Sequence, residues 1–124
     1  MQVVPEYSIG SGRLDFMISG HAAGVGIVNV CVEFKLAHAI DLAHGIQKQL
    51  PEYMARRTTD FGIFCVLSFG KEYPANTSQF ELPSIETANH DLDVILQIAA
   101  SHTGLPYLRG LILDFSMRPS PSKM

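Results

Sequence analysis

Glu33 and Lys35 are two charged residues inside an otherwise apolar stretch, CVEFKLA, at residues 31–37. Because side chains alternate along a strand, these two share one face, and Val32 and Phe34 take the other. Burying unpaired charge is costly, so the stretch allows two interpretations. It is either a pair of charges on an exposed sheet face or part of an active site that uses a metal ion.

A second acid, Asp15, lies in another predicted strand, at residues 13–19. The apolar side chains of this strand share one face, and Asp15 lies on the other. If the strand forms a hairpin with the one predicted at residues 27–36, the carboxylates of Asp15 and Glu33 converge. Two carboxylates and a backbone carbonyl are the hard oxygen ligands that Mg²⁺ and Mn²⁺ take. A lysine beside them can act on the attacking water and offset charge that develops on a phosphate.

The third candidate element is an amphipathic helix, which the spacing of apolar residues predicts from Asp41 to about Arg57. Pro51 interrupts this helix and predicts a kink or a break with a restart. Gln49 and Tyr53 lie one turn apart on one face, either as site residues or as ordinary helix residues. The basic residues of the helix are candidate contacts for nucleic acid or a solvated helix face: Lys48, Arg56 and Arg57.

These elements together resemble a known family. Three of them, in this order along the chain, resemble the PD-(D/E)XK nuclease superfamily, which has the restriction-endonuclease-like fold: Asp15, then Glu33-Phe34-Lys35, then Gln49-Leu50-Pro51-Glu52-Tyr53. The last element is similar to the QxxxY helix of the RecB-type exonuclease branch. The resemblance covers about half of the chain, roughly residues 6–69, and implies a Mg²⁺-dependent nuclease, with Mn²⁺ as a substitute, that acts on DNA more readily than on RNA.

The resemblance also implies a role for each site residue. These roles are metal binding by Asp15, Glu33 and the Phe34 carbonyl, catalysis by Lys35, support of the site by Gln49, and contact with substrate or with Gln49 by Tyr53. We expect both carboxylates and the lysine amine to cluster on one face of the sheet, at or beside its interface with the Gln49 helix.

Two features depart from the family pattern. Pro51 lies inside the QxxxY element, and few residues precede the first predicted core strand, whereas the family core normally begins with a helix. We therefore expect a homodimer or a partner chain that supplies the missing helix. The alternative interpretations are a non-cleaving module on the same fold, which binds partners or nucleic acid, and an unrelated α/β domain.

Length and composition bound these interpretations. The chain has 124 residues, of which 47% are hydrophobic and 17% charged, which predicts a single domain at residues 1–116 with a flexible tail at 117–124. Its net charge of −3 argues against a protein that coats nucleic acid through a broad basic surface. No membrane span or secretory signal is evident, so a cytoplasmic protein is expected. The order of elements predicts an α/β (α+β) fold with a mixed central sheet of four to five strands, flanked by helices and lacking the usual N-terminal helix.

Overall fold

The computed structural model describes residues 2–5, 16–81 and 91–116, and Asp15 lies outside these ranges. The described residues form a sheet and a layer of helical segments. The strands are β1 (Gln2–Pro5), β2 (Phe16–Ala22), β3 (Gly26–Leu36), β4 (Phe61–Ser68) and β5 (Tyr107–Asp114). The helical segments are α1 (Leu42–His44), a π-helical segment (Gly45–Gln49), α2 (Leu50–Arg56) and α3 (Leu92–His102).

The strands form one five-stranded sheet in the order β1-β2-β3-β4-β5. The first three strands pair antiparallel, and β3, β4 and β5 pair parallel. Parallel neighbours cannot be joined by a tight turn, so helical crossovers connect β3 to β4 and β4 to β5. The α+β class with a mixed sheet flanked by helices, predicted from the order of elements, is confirmed.

The strand boundaries differ from the prediction at two places. β2 continues to Ala22, and the hairpin turn occupies residues 23–25; Gly24 in the turn and Gly26 at the start of β3 have φ angles of 79° and 99°, which suit glycine. The apolar run GLILDF predicts a final strand at residues 110–115, whereas β5 begins three residues earlier, at Tyr107. Its first residues alternate between exposed and buried, so the apolar run used for the prediction begins too late to mark the start.

The helix predicted from residue 41 to 57 consists of α1, the π-helical segment and α2 without a gap. The Leu50 N–H donates to the Gly45 carbonyl, five residues back, as in a π-helix. Pro51 is the second residue of α2 and has no N–H to donate within this continuous helix. The distortion predicted at Pro51 is therefore a change of helix type before the proline, and the helix continues to Arg56.

The register of the strands divides the sheet into two faces. The helix-covered face packs against α1, the π-helical segment, α2 and α3, and its strand side chains include Cys31, Glu33, Lys35, Phe64, Val66 and Leu108. The opposite, open face carries Arg109 but is otherwise largely apolar, and its apolar side chains include Phe16, Ile18, Val32, Phe34, Ile63, Cys65, Tyr107 and Leu111. The described helices thus cover one face of β4, whereas the sequence FGIFCVLSF at residues 61–69, apolar at alternate and intervening positions alike, predicts a central strand covered on both faces. Among the described residues, no helix is long and apolar enough to cross a membrane.

Candidate active site

Glu33 lies in the middle of β3 on the helix-covered face, beside Phe64 of β4. Only 4% of the residue is exposed, and it is the one charged or polar residue among the buried residues of the described chain. Removing a carboxylate from water costs several kcal/mol unless charges or hydrogen bonds compensate, about as much as the net stability of a small domain. Burial of Glu33 therefore requires compensating interactions in the folded chain.

Lys35 lies two residues further along β3, on the same face as Glu33. Its side chain is 16% exposed, and its Nζ donates to Oδ2 of Asp41 at 2.6 Å. The Cε atom passes Gly45 so closely that a Cβ added to Gly45 would lie 3.2 Å from it. The conformation of the Lys35 side chain is therefore set by β3, by the close approach of Gly45 and by the hydrogen bond to Asp41.

Asp41 was not among the residues predicted for the site. It is the N-cap residue of α1, yet its side chain makes no capping hydrogen bond. The hydrogen bond from Lys35 is the main cause that lowers the pKa of Asp41, and nearby positive charge on Lys35 and His44 acts in the same direction. An aspartate just before a helix normally indicates a cap, so the sequence alone gave no reason to connect it with Lys35.

Gln49 lies at the end of the π-helical segment, in a helix that runs along β3 and β4. Gly45 of this helix contacts the Lys35 side chain, and Met54 lies over Gly62, whose ladder partner on β3 is Cys31. The nine residue steps from Gly45 to Met54 span about 13 Å along a helix, and the four steps from Lys35 to Cys31 span nearly the same length along a strand. The helix around Gln49 therefore passes β3 at the level of Glu33.

The amide oxygen of Gln49 is buried and has no hydrogen-bond partner among the described residues. A buried acceptor without a partner costs free energy, so a native structure retains one where a ligand or water binds it. This oxygen is a hard donor of the same chemical kind as a carboxylate oxygen. Gln49 can therefore serve an oxygen-rich metal site or orient a water molecule in it.

The other predicted site residues are distributed differently. Tyr53 belongs to the core, with 7% exposed. Arg56 is exposed and donates to Glu52 at 2.9 Å, and Lys48 and Arg57 are also exposed. The Phe34 ring lies on the open face, in edge-to-face contact with Phe16 at a centroid distance of 5.6 Å. The role predicted for Phe34 is metal binding by its backbone carbonyl, and the position of the ring does not test that role.

The second predicted metal ligand, Asp15, lies outside the described residues. Within the described ranges, no group of three or more histidine, cysteine, aspartate or glutamate side chains is placed to hold a metal ion. The described part of the predicted metal site thus consists of the Glu33 carboxylate, the Phe34 backbone and the Gln49 amide.

Two cavities of the described chain lie away from Glu33 and Lys35. One of about 1020 Å³ lies at the carboxyl ends of β4 and β5, where Ser68, Asp114 and Asp91 line it. A neighbouring cavity of about 450 Å³ is lined partly by His38 and Tyr73, whose rings lie 5.1 Å apart. Neither lining includes Glu33 or Lys35.

The fold and the site define an α+β domain in which a buried glutamate and a lysine share one strand beneath a helix. The chain belongs to a family described as a domain of unknown function, DUF8371, whose match covers residues 1–71. That range contains every residue predicted for the site, from Asp15 to Arg57. No curated protein and no solved structure matches the chain.

Proposed function

We propose that the protein is a metal-dependent nuclease that hydrolyses phosphodiester bonds, with DNA as the favoured substrate. The observation that carries the proposal is the placement of Glu33 and Lys35 on one strand face, both mostly buried, under the helix that carries Gln49. A solvated pair of surface charges, the simpler interpretation of the sequence, does not explain a glutamate with 4% exposure. The order of the three sequence elements that resemble the PD-(D/E)XK superfamily adds independent support.

The donor atoms suit the proposed metal ion. Mg²⁺ takes oxygen ligands, and the Glu33 carboxylate, the Phe34 carbonyl and the Gln49 amide oxygen are all of this type. The buried Gln49 oxygen, which has no hydrogen-bond partner in the described chain, is the observation on which this fit rests. Glu33 and Asp15 would hold the ion with the Phe34 carbonyl, and Gln49 would support them. When bound, Mg²⁺ supplies Lewis-acid stabilisation of charge that develops on the phosphate.

The residues of the chain have distinct parts in this proposal. The Lys35 ammonium orients the attacking water and offsets negative charge on the phosphate, since it is a compact cation with three donors. Glu33 provides fixed negative charge in a dry environment, where electrostatic interactions are strong. The exposed side chains of Lys48, Arg56 and Arg57 bind the phosphates of the substrate backbone.

The test is cleavage of labelled linear, nicked and single-stranded DNA, and of RNA, with Mg²⁺ or Mn²⁺. Lys35→Ala should reduce hydrolysis by about 10²- to 10³-fold and leave metal binding by calorimetry nearly unchanged, since lysine is not a ligand. The matched control is Lys71→Ala, because Lys71 is an exposed lysine outside the site. If the wild-type protein binds no divalent ion and cuts none of these substrates, the proposal fails.

A non-cleaving interaction module is the second candidate function. The open face favours it, since Tyr107 and Leu111 of that face are 53% and 47% exposed. Exposed apolar surface of this kind commonly marks a contact with a partner. Binding of DNA or of a protein by a wild-type chain that binds no metal and cuts nothing would favour this function over the nuclease.

A further inference from the structure

Two aspartates of the chain occupy the same position at the start of a helix but use their side chains differently. Asp91, the N-cap residue of α3, accepts a hydrogen bond from the Asp93 N–H at 3.0 Å. This is the usual N-cap contact, which satisfies a backbone donor at the helix start. Asp41, the N-cap residue of α1, makes no such bond, and its carboxylate accepts from Lys35 at 2.6 Å. Asp41 therefore serves Lys35 and not the helix.

The Lys35 side chain has little free space between β3 and Asp41. The Lys35 Cε atom lies 3.2 Å, and the Phe64 ring as little as 2.6 Å, from the position that a Cβ on Gly45 would take. Only a glycine leaves room here for both side chains and for the helix. The stem of the lysine is thus confined by packing, and its ammonium is fixed by a charge-assisted hydrogen bond.

A lysine in water samples many rotamers, and fixing them costs conformational entropy at the moment when the group is needed. A contact that fixes the side chain in the resting protein removes that cost from the reaction. The ammonium has three donors, and Asp41 accepts one of them. Within the part of the chain that the structure describes, Asp41 is the recorded acceptor of Lys35, which leaves two donors for a water molecule and a phosphate oxygen.

We propose that Asp41 is a positioning residue that holds the Lys35 ammonium at the nuclease site, with Gly45 providing the space for the lysine stem. This inference rests on the proposed function, because it assigns Lys35 a part in hydrolysis. Asp41 itself does not touch the substrate. His44, one turn further along the helix, is the other charged group that acts on Asp41.

The first part of the test compares steady-state kinetics of Asp41→Asn, Asp41→Glu and Asp91→Asn with Mg²⁺ and labelled DNA. Asp41→Asn should lower kcat by about 10- to 100-fold, a loss typical of residues that orient a reacting group, and leave KM unchanged. Asp41→Glu should recover part of kcat, because it restores the carboxylate. Asp91→Asn should match the wild type, since asparagine caps a helix as well as aspartate does.

The second part needs no metal ion and no activity. The ¹⁵N signal of the Lys35 ammonium, assigned by its absence from Lys35→Met, should be sharp in the wild type and broadened or lost in Asp41→Asn. The same signal should be retained in Asp91→Asn. Urea unfolding of every variant shows whether it is folded under the assay conditions.

The outcomes separate this inference from the proposed function. Loss of both kcat and the ammonium signal in Asp41→Asn alone supports the positioning role. If the wild type cleaves DNA and Asp41→Asn keeps its kcat, or if Asp91→Asn loses as much, the positioning role is overturned and the nuclease stands. If the wild type cleaves nothing, the proposed function fails, and the positioning role in hydrolysis fails with it, whatever the ammonium signal shows.

Discussion

The two faces of the sheet differ in a way that their hydrophobicity does not explain. The helix-covered face carries Glu33 and Lys35, yet the described helices pack on it closely enough that a Cβ on Gly62 or Gly110 would lie under 3 Å from a helix side chain. The open face is almost entirely apolar, yet no described helix lies on it, and Leu111 stays 47% exposed. The buried glutamate is thus on the packed face, whereas the charged residue Arg109 of the open face is exposed.

This difference separates two reasons for burying a residue. Burial of the apolar side chains of β4 stabilises the fold on either face. These side chains therefore do not decide which face the helices cover. Burial of the Glu33 carboxylate costs free energy unless charges or hydrogen bonds compensate, and the proposed function gives it a use, since that function needs the charge in a dry site. The predictions below test this comparison, from the largest expected effect to the smallest.

The largest effect is expected from neighbouring substitutions on opposite faces of β3. Glu33→Gln keeps the shape of the side chain and removes its charge, so cleavage and calorimetric binding of Mg²⁺ should both fall, cleavage by about 10²- to 10³-fold. Val32→Ala, at a residue that is 5% exposed on the open face, should leave activity per folded molecule unchanged. It should lower the free energy of unfolding by about 1–3 kcal/mol, because it removes buried methyl groups.

Circular dichroism of both variants establishes that loss of cleavage is not loss of the fold. Wild-type cleavage by Glu33→Gln would contradict the assignment of Glu33 as a ligand. Equal loss of activity per folded molecule in Val32→Ala would show that the two faces are not functionally distinct.

Side-chain alternation was sufficient to predict that Glu33 and Lys35 share a face, because a strand leaves no other arrangement. It could not predict which face the helices cover, since the face of Val32 and Phe34 is the more apolar one. The glycines held a usable signal: a glycine inside a strand often marks close approach of another element, as Gly110 does under Leu96.

Two parts of the candidate site had no local signal in the sequence. The contact between Asp41 and Lys35 depends on how the chain turns between β3 and α1, and no residue pattern fixes that turn. The π-helical segment before Pro51 depends on packing against the sheet as well as on the proline. The sequence therefore predicted the chemical groups of β3 and the order of elements, and tertiary packing decided their partners.

A matched pair of strand glycines tests the packing of the two faces directly. A Cβ on Gly110, on the helix-covered face, would lie 2.8 Å from the Cβ of Leu96, whereas a Cβ on Gly20, on the open face, would have no atom within 4 Å. Gly110→Ala should lower the free energy of unfolding by about 1–3 kcal/mol, because the helix must shift. Gly20→Ala should leave the free energy of unfolding unchanged or raise it by up to about 1 kcal/mol, since alanine restricts the unfolded chain.

Urea denaturation of the two alanine variants, with the wild type alongside, measures both changes. Equal destabilisation by the two substitutions would mean that the open face is covered as tightly as the other. A stable Gly110→Ala variant would contradict the close packing of α3 on β5.

The open face also allows a test of the expected homodimer. Leu111→Glu places a charge among exposed apolar side chains, so it should weaken self-association by about tenfold, which corresponds to about 1.4 kcal/mol. The control is Val94→Glu, because Val94 is an apolar residue of similar exposure, 40%, on α3. Sedimentation velocity over a concentration series measures both, and a wild-type monomer at high micromolar concentration would contradict the dimer.

The smallest effect concerns the ion pair at the edge of the helix-covered face. The pKa of Asp41 is lowered from its ordinary value of 3.8, mainly by the hydrogen bond from Lys35. Because the folded state favours the ionised carboxylate, the stabilisation is present above the unfolded pKa and is lost as the pH falls through the folded pKa. Asp41 is 46% exposed, so solvent screening should limit the contribution to about 1 kcal/mol or less.

The measurement is the difference in unfolding free energy between the wild type and Asp41→Asn, from neutral pH down to below 3.8. We expect the wild type to be more stable at neutral pH and the difference to shrink at acid pH, where Asp41 carries no charge. The exposed pair of Glu52 and Arg56, with side chains 60% and 61% exposed, provides the comparison, and Glu52→Gln should change stability less than Asp41→Asn does. A difference that is equally large at both ends of the pH range would show that Asp41 stabilises the fold through its shape and not through its charge on Lys35.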